Sequence, residues 1–252
     1  MNDYVLGRQH LMISVATVSV VLAPFLETAE GYVITAFIGV GIGALIPDVD
    51  AQDAAIFHEN IRGLNGDVGE AVNNFLGPML PYFGYASKYA IYKPAVTIFD
   101  FLTSDKYSFQ EKHRTFSHSF LGVFTMTAVT GLYLTAILIL LEIFAPLYLI
   151  VFLLSYMSGA FLHMLEDSCT VTGIAWNSPF SETKLKGQIS TGKDIKKPRY
   201  FLYTLGALTA SSFYISAEYT IYMPVVVIGS IIAVILSWLI FAKFIAKVEI
   251  KR

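Results

Sequence analysis

His163 and Asp167 lie four positions apart in the run Gly159 to Asp167. At about 100° per residue, an imidazole and a carboxylate so spaced differ by about 40° around a helix and can grip one cation. Pro47-Asp48-Val49-Asp50 offers two more carboxylates on what reads as an extended segment, where alternate residues face the same way. Either has two oxygens with which to bridge two ions. His113-Arg114-Thr115-Phe116-Ser117-His118-Ser119 adds two imidazoles and a guanidinium just before an apolar run. His113 and His118 would stand about 140° apart on one helix. A shared site therefore requires the helix to start between them, with Thr115 or Ser117 as N-cap and His118 in the first turn. His10 precedes the first apolar run. This mixed nitrogen–oxygen set suits Zn2+, Mn2+ or Fe and suits Ca2+ poorly. It exceeds what one tetrahedral ion needs, so two divalent ions are expected. Paired ions hydrolyse phosphoesters by acidifying a water and stabilising the attacking and leaving oxygens. Arg114, whose planar fork matches a phosphate, and Asp50 are the candidate catalytic groups.

The elements that must position these groups are apolar. Of 252 residues 55% are hydrophobic and 14% charged, against about 25% charged in soluble domains. Runs near twenty residues point to an all-α, polytopic membrane bundle. Six spans are expected, at about 11–26, 32–46, 120–144, 147–164, 200–216 and 221–245, with the first retained rather than cleaved as a signal peptide. Residues 51–112 read as an interfacial insert. Its Val68, Ala71, Val72, Phe75, Leu76 and Met79 recur at helical steps, Pro78, Pro81 and Pro94 break the stretch beyond them, and its tyrosines suit headgroup depth. Residues 168–198 read as a cytoplasmic loop over the site. A net charge of -2 gives no basic field for nucleic acid, and the single cysteine, Cys169, excludes an internal disulfide or a thiolate-only cage.

Charge placement orients the bundle. The links holding Glu27 and Glu30, Glu142, and Glu218 carry no Lys or Arg, so all 17 basic residues fall on the other side. By the positive-inside rule both termini are cytoplasmic. His10, Asp48, Asp50, His113, His118, His163 and Asp167 then all lie at cytoplasmic helix ends, at one depth. Ionisable groups at a membrane face are functional candidates by default. Taken singly each has a plainer reading: His10 as an interfacial residue, the two aspartates as a turn, Asp167 as a boundary charge. Glu166 points elsewhere on its helix and reads as structural, and His58 has no partner in register and reads as a non-ligand. Transporters hold ligands near the midplane, which disfavours transport. The chain has no His-Glu-x-x-His for a metalloprotease.

Together, His10, Pro47-Asp48-Val49-Asp50, His113 to Ser119, and Gly159-x-x-x-His163-x-x-x-Asp167-x-x-Thr170-x-x-Gly173 resemble the membrane-bound, metal-dependent hydrolases of bacteria and archaea, inner-membrane proteins some of which are under LexA control. The resemblance covers the first four spans and the loop to about Pro179. It implies metal ligands at His10, Asp48, Asp50, His113, His118, His163 and Asp167, and a distant likeness of the His-x-x-x-Asp helix to zinc-dependent phospholipases C. The long insert and Ser117, where Thr is common, depart from the pattern. The expectation is a hydrolase of the prokaryotic inner membrane acting on a phospholipid or lipid-linked phosphoester. The alternative is a non-enzymatic metal-binding sensor or transporter.

Overall fold

The computed structural model describes residues 4–51, 53–103, 114–190, 193–218 and 223–251. Six long helices form the bundle: α1 (Tyr4–Leu22), α2 (Glu30–Gly43), α6 (Phe120–Leu140), α7 (Pro146–Ser168), α8 (Lys196–Glu218) and α9 (Met223–Ile240). Three shorter helices, α3 (Gly66–Leu76), α4 (Leu80–Ala86) and α5 (Lys93–Thr103), make up the insert. Five segments are long and apolar enough to cross a membrane: Gly7–Phe25, Glu30–Asp50, Phe120–Leu140, Pro146–Ser168 and Met223–Ile245. Helix α8, the expected fifth span, forms at full length. Lys196, Lys197 and Arg199 at its start and its serines and threonines keep it less apolar than the others. Ser212 of α8 bonds Ser230 of α9, oxygen to oxygen, at 2.8 Å, a buried polar clasp between two otherwise apolar helices.

Helices α2 and α7 make the most intimate contact. Gly39, Gly43 and Gly159 face the partner backbone so closely that a Cβ at any of them would overlap it. This is the close approach that small residues permit between helices in a membrane. Helix α6 begins at Phe120 with Ser119, not Thr115 or Ser117, as N-cap: its hydroxyl accepts from Gly122 N–H at 3.1 Å. His118 therefore ends the approach loop and does not lie in the first turn. Removing that cap in Ser119→Ala is expected to cost about 1 kcal/mol, read as a lower unfolding midpoint in detergent.

The insert is packed, not merely peripheral. Leu80, Ile91, Tyr92 and Val96 join Ile56, Phe116, Met126 and Tyr156 in one buried cluster. The prolines do not break it. Pro81 sits in the first turn of α4 and Pro94 near the start of α5, and the Ala90 carbonyl, four residues before Pro94, accepts from the Tyr133 hydroxyl at 3.3 Å. Between α4 and α5, Ser87–Tyr92 is a π-helix, so the segment runs on as one continuous helical stretch.

The loop after α7 carries the minor β structure. Strand β1 (Lys184–Lys186) pairs antiparallel with β2 (Glu249–Lys251), and Ile174 bridges Leu185. The last described element is thus tied to the loop beyond Asp167. At the other end of the chain, Arg8 of α1 bonds the Gly63 carbonyl at 2.6 Å, beside the insert. The first and last described elements share the end of the bundle that holds the polar cluster.

Candidate metal centre

Pro47 sets how the first carboxylates are presented. It falls in the opening turn of a 3-10 helix, Ile46–Asp50, in place of the expected extended segment. With three residues per turn, positions 48 and 50 diverge by about 120° instead of facing the same way. Asp48 turns to the helix-end cluster, while Asp50 turns to the loop before α6. The Oδ2 of Asp50 accepts from Arg114 N–H at 3.0 Å and from the Ser117 hydroxyl at 2.8 Å. Asp50 thus holds that loop, and neither donor group formed by the described residues includes it. Arg114 adopts φ 65°, a left-handed conformation unfavourable for a side-chain-bearing residue, and the bond from its N–H to Asp50 helps hold it there.

Four donors converge from three elements. Nε2 of His118 lies 3.6 Å from Asp48 Oδ1 and 3.5 Å from Asp167 Oδ2. Nε2 of His163 lies 3.6 Å from the same Asp48 oxygen and 3.7 Å from the same Asp167 oxygen. Each histidine nitrogen thus lies 3.5–3.7 Å from both carboxylate oxygens, a spacing short enough for shared coordination of an ion. His118, His163 and Asp167 are wholly buried. His163 Nε2 and Asp167 Oδ2 have no hydrogen-bond partner among the described residues. Each orphaned buried polar atom costs about 1–3 kcal/mol, a cost that a cation bound between these two would remove. The residues fit a divalent ion.

The surrounding contacts orient these donors. His163 Nδ1 donates to the Ala44 carbonyl at 2.7 Å, which leaves Nε2 with its lone pair toward the cluster. Ser117 Oγ lies 3.1 Å from His118 Nδ1 while bonding Asp50. Arg114 Nη2 donates to Asp167 Oδ1 at 2.8 Å and leaves Oδ2 to the cluster. Burial opposes a charge on His118, yet Asp48, Asp50 and Asp167 around it push its pKa up to about 10. At His118 the surrounding carboxylates thus outweigh burial. Losing the Ser117 hydroxyl in Ser117→Ala is expected to weaken metal affinity about 10–100-fold, read by competition with a chromophoric chelator.

His10 stacks on His163 with ring centroids 3.9 Å apart, and its Nε2 lies 3.7 Å from Asp167 Oδ1. Two donor groups result, Asp48–His118–His163 and His10–His163–Asp167. Both draw on His163, whose one remaining nitrogen serves one ion at a time. His113, an expected ligand, lies outside the described residues.

Glu166 is the residue that sequence reasoning missed. It is 8% exposed, accepts from Ser14 Oγ at 3.2 Å, and places Oε2 3.1 Å from His10 Nδ1, though not in hydrogen-bond geometry. Its carboxylate thus lies against the His10 ring without a hydrogen bond to it. The signal was present: three positions from His163 is only about 60° around the helix, on the side away from Asp167. His58 keeps its expected place outside the cluster, paired with Asp53 at 3.0 Å on the surface. Cys169 abuts the site but is inert: burial, with Glu166 and Asp167 nearby, pushes its thiol up to about 12. Thiol-directed maleimide is expected to leave Cys169 unmodified in the folded protein and to label it after denaturation.

Six long helices with a buried imidazole–carboxylate cluster at one end define a polytopic helical membrane protein with a candidate metal centre. The family model described as YdjM inner membrane protein fits residues 5–246, and the chain belongs to that family. Comparison with curated proteins and with solved structures found no match. Family membership and the five apolar segments together place the chain in the inner membrane.

Proposed function

We propose that this protein is a metal-dependent hydrolase of a phosphoester carried by a phospholipid or lipid-linked substrate, working at the cytoplasmic face of the inner membrane. The observation that carries the reading is the convergence of Asp48, His118, His163 and Asp167, with each histidine nitrogen 3.5–3.7 Å from both carboxylate oxygens, in a buried pocket at the end of a membrane bundle. Zinc is the ion that this donor set favours, with manganese or iron also compatible. A divalent ion held there would supply Lewis acidity, which acidifies water and polarises a phosphoryl oxygen. His10 adds a further donor on the Asp167 side. Arg114 fixes Asp167 through Nη2, while its buried Nε has no hydrogen-bond partner among the described residues and is a donor for a phosphoryl oxygen. Asp50 and Ser117 hold the loop that presents His118 and Arg114. Both ends of the described chain lie at the site's end of the bundle, which supports an even number of passes and two cytoplasmic termini.

The test is turnover by purified protein on a panel of phospholipids and lipid-linked phosphoesters. Chelator-sensitive release of the phosphorylated headgroup or of phosphate, restored by Zn2+ or Mn2+ and absent in folded His163→Ala, is the expected result. Tight metal binding with no turnover across the panel would instead support a metal-binding sensor.

A further inference from the structure

The apolar segment Met223–Ile245 ends at the base of the β1–β2 ribbon. Past that end the backbone turns back on the helix: Lys247 takes a left-handed φ of 51°, and Val248 N–H donates to the Ala242 carbonyl at 2.9 Å. Strand β2 therefore starts beside the last turn of the segment, and Gln188 N–H, bonded to the Ala246 carbonyl at 2.7 Å, brings the β1 side to the same level. A crossing segment gives way to headgroups where its apolar run stops, so the ribbon lies at headgroup depth. In its antiparallel register Lys184 stands opposite Lys251 and Lys186 opposite Glu249. Directly opposed residues share a face of the sheet, as do alternate residues along a strand. One face thus carries three ammonium groups and one carboxylate. Like charges directly opposite each other destabilise a ladder, so Lys184 against Lys251 weakens the ribbon unless an anion lies over the pair.

We propose that this ribbon is a docking surface for the anionic phospholipid headgroups of the leaflet it borders, centred on Lys184 and Lys251. The inference is independent of the hydrolase reading. Lys251 Nζ lies 3.8 Å from Glu249 Oε2, but both side chains are largely exposed, and such a pair offsets little charge in water. Lys184, Lys186 and Lys247 form no ion pair among the described residues. Over residues 182–186 and 243–251, five lysines stand against two glutamates, Glu182 and Glu249. Each lysine near an anionic membrane surface strengthens attachment about fivefold. Phe244, 66% exposed, adds an aromatic ring at the same edge, with Lys243 Nζ 5.7 Å from its centre. Such a pair sets the ring at the acyl boundary and the ammonium at phosphate level. Lying against the end of an apolar segment, the lysines meet lipid phosphate ahead of any soluble polyanion.

The test uses the full chain in a neutral maltoside detergent, with binding read from the unfolding midpoint. Dioctanoyl phosphatidylglycerol, dioctanoyl phosphatidylcholine and poly-glutamate are the titrants. Wild type is compared with Lys184→Gln/Lys251→Gln and with the charge-retaining Lys184→Arg/Lys251→Arg. Phosphatidylglycerol is expected to raise the wild-type midpoint saturably, and phosphatidylcholine to leave it unmoved. The glutamine variant should bind phosphatidylglycerol at least about tenfold more weakly, and the arginine variant as wild type does. In detergent alone the glutamine variant should unfold no earlier than wild type, because the opposed charges are gone. A purely structural pair would give the reverse, and an earlier midpoint there would overturn the proposal. So would equal phosphatidylglycerol affinity in wild type and the glutamine variant, or an equal response to phosphatidylcholine. A lysine-dependent response to poly-glutamate as strong as that to phosphatidylglycerol would overturn it in favour of a soluble polyanion.

Discussion

Replacing Gly43 with alanine is expected to cripple the metal centre although glycine donates nothing to it. A Cβ at Gly43 would overlap the Tyr156 carbonyl of α7, and one at Gly159 would overlap the Val40 carbonyl of α2. Backbone on both sides leaves no flexible side chain to yield, so α2 and α7 must move apart. Those helices deliver Asp48, at the end of the turn after α2, and His163 with Asp167, on α7. The bond from His163 Nδ1 to the Ala44 carbonyl crosses the same contact. Overpacking of this kind costs about 1–3 kcal/mol, and any separation lengthens every Asp48-to-His163 distance at once. Gly43→Ala should therefore lower both the unfolding midpoint in detergent and metal affinity. Gly206→Ala and Gly229→Ala are the controls: nothing lies within 4 Å of a Cβ at either site. Alanine there should be neutral or stabilising, since glycine within a helix is less favourable by about 0.5–1 kcal/mol.

The second large effect is expected of His163→Ala. Its imidazole shares edges with Asp48 and Asp167, stacks on His10 and belongs to both donor groups. Loss of an outer contact to a metal ligand alone costs about 10–100-fold in affinity, so loss of this ligand should cost at least about a hundredfold. A chelator-competition titration reads the change directly. His58→Ala, which removes an imidazole paired with Asp53 at 3.0 Å away from the cluster, should leave affinity where it was. Equal losses in the two variants would mean that the ion is held by histidines in general and not by this pocket.

Much of this was legible in the residues because the strongest signals are local. Twenty-residue apolar runs produce long helices almost regardless of tertiary context, and His163 with Asp167 one turn on needs only the helical period. What escaped was set by backbone geometry that composition does not encode. Pro47 nucleates a 3-10 turn rather than an extended segment, so Asp48 and Asp50 part company and only Asp48 joins the cluster. Ser119 caps α6 in preference to Thr115 or Ser117, which leaves His118 on the loop where Ser117 and Asp50 can orient it. Glu166 is overshadowed in the sequence by Asp167 beside it, which fits the four-residue step so well. The insert illustrates the reverse case: its helical periodicity is plain, but the prolines that read as breaks open the next helices.

Zinc K-edge X-ray absorption on the purified, zinc-loaded protein tests the central claim most directly. The account expects a first shell of nitrogen and oxygen at about 2.0–2.2 Å with no sulfur, together with the outer-shell scattering of at least two imidazoles. An ion surrounded by oxygen alone, a zinc–sulfur distance of about 2.3 Å pointing to Cys169, or no zinc retained through gel filtration would contradict it.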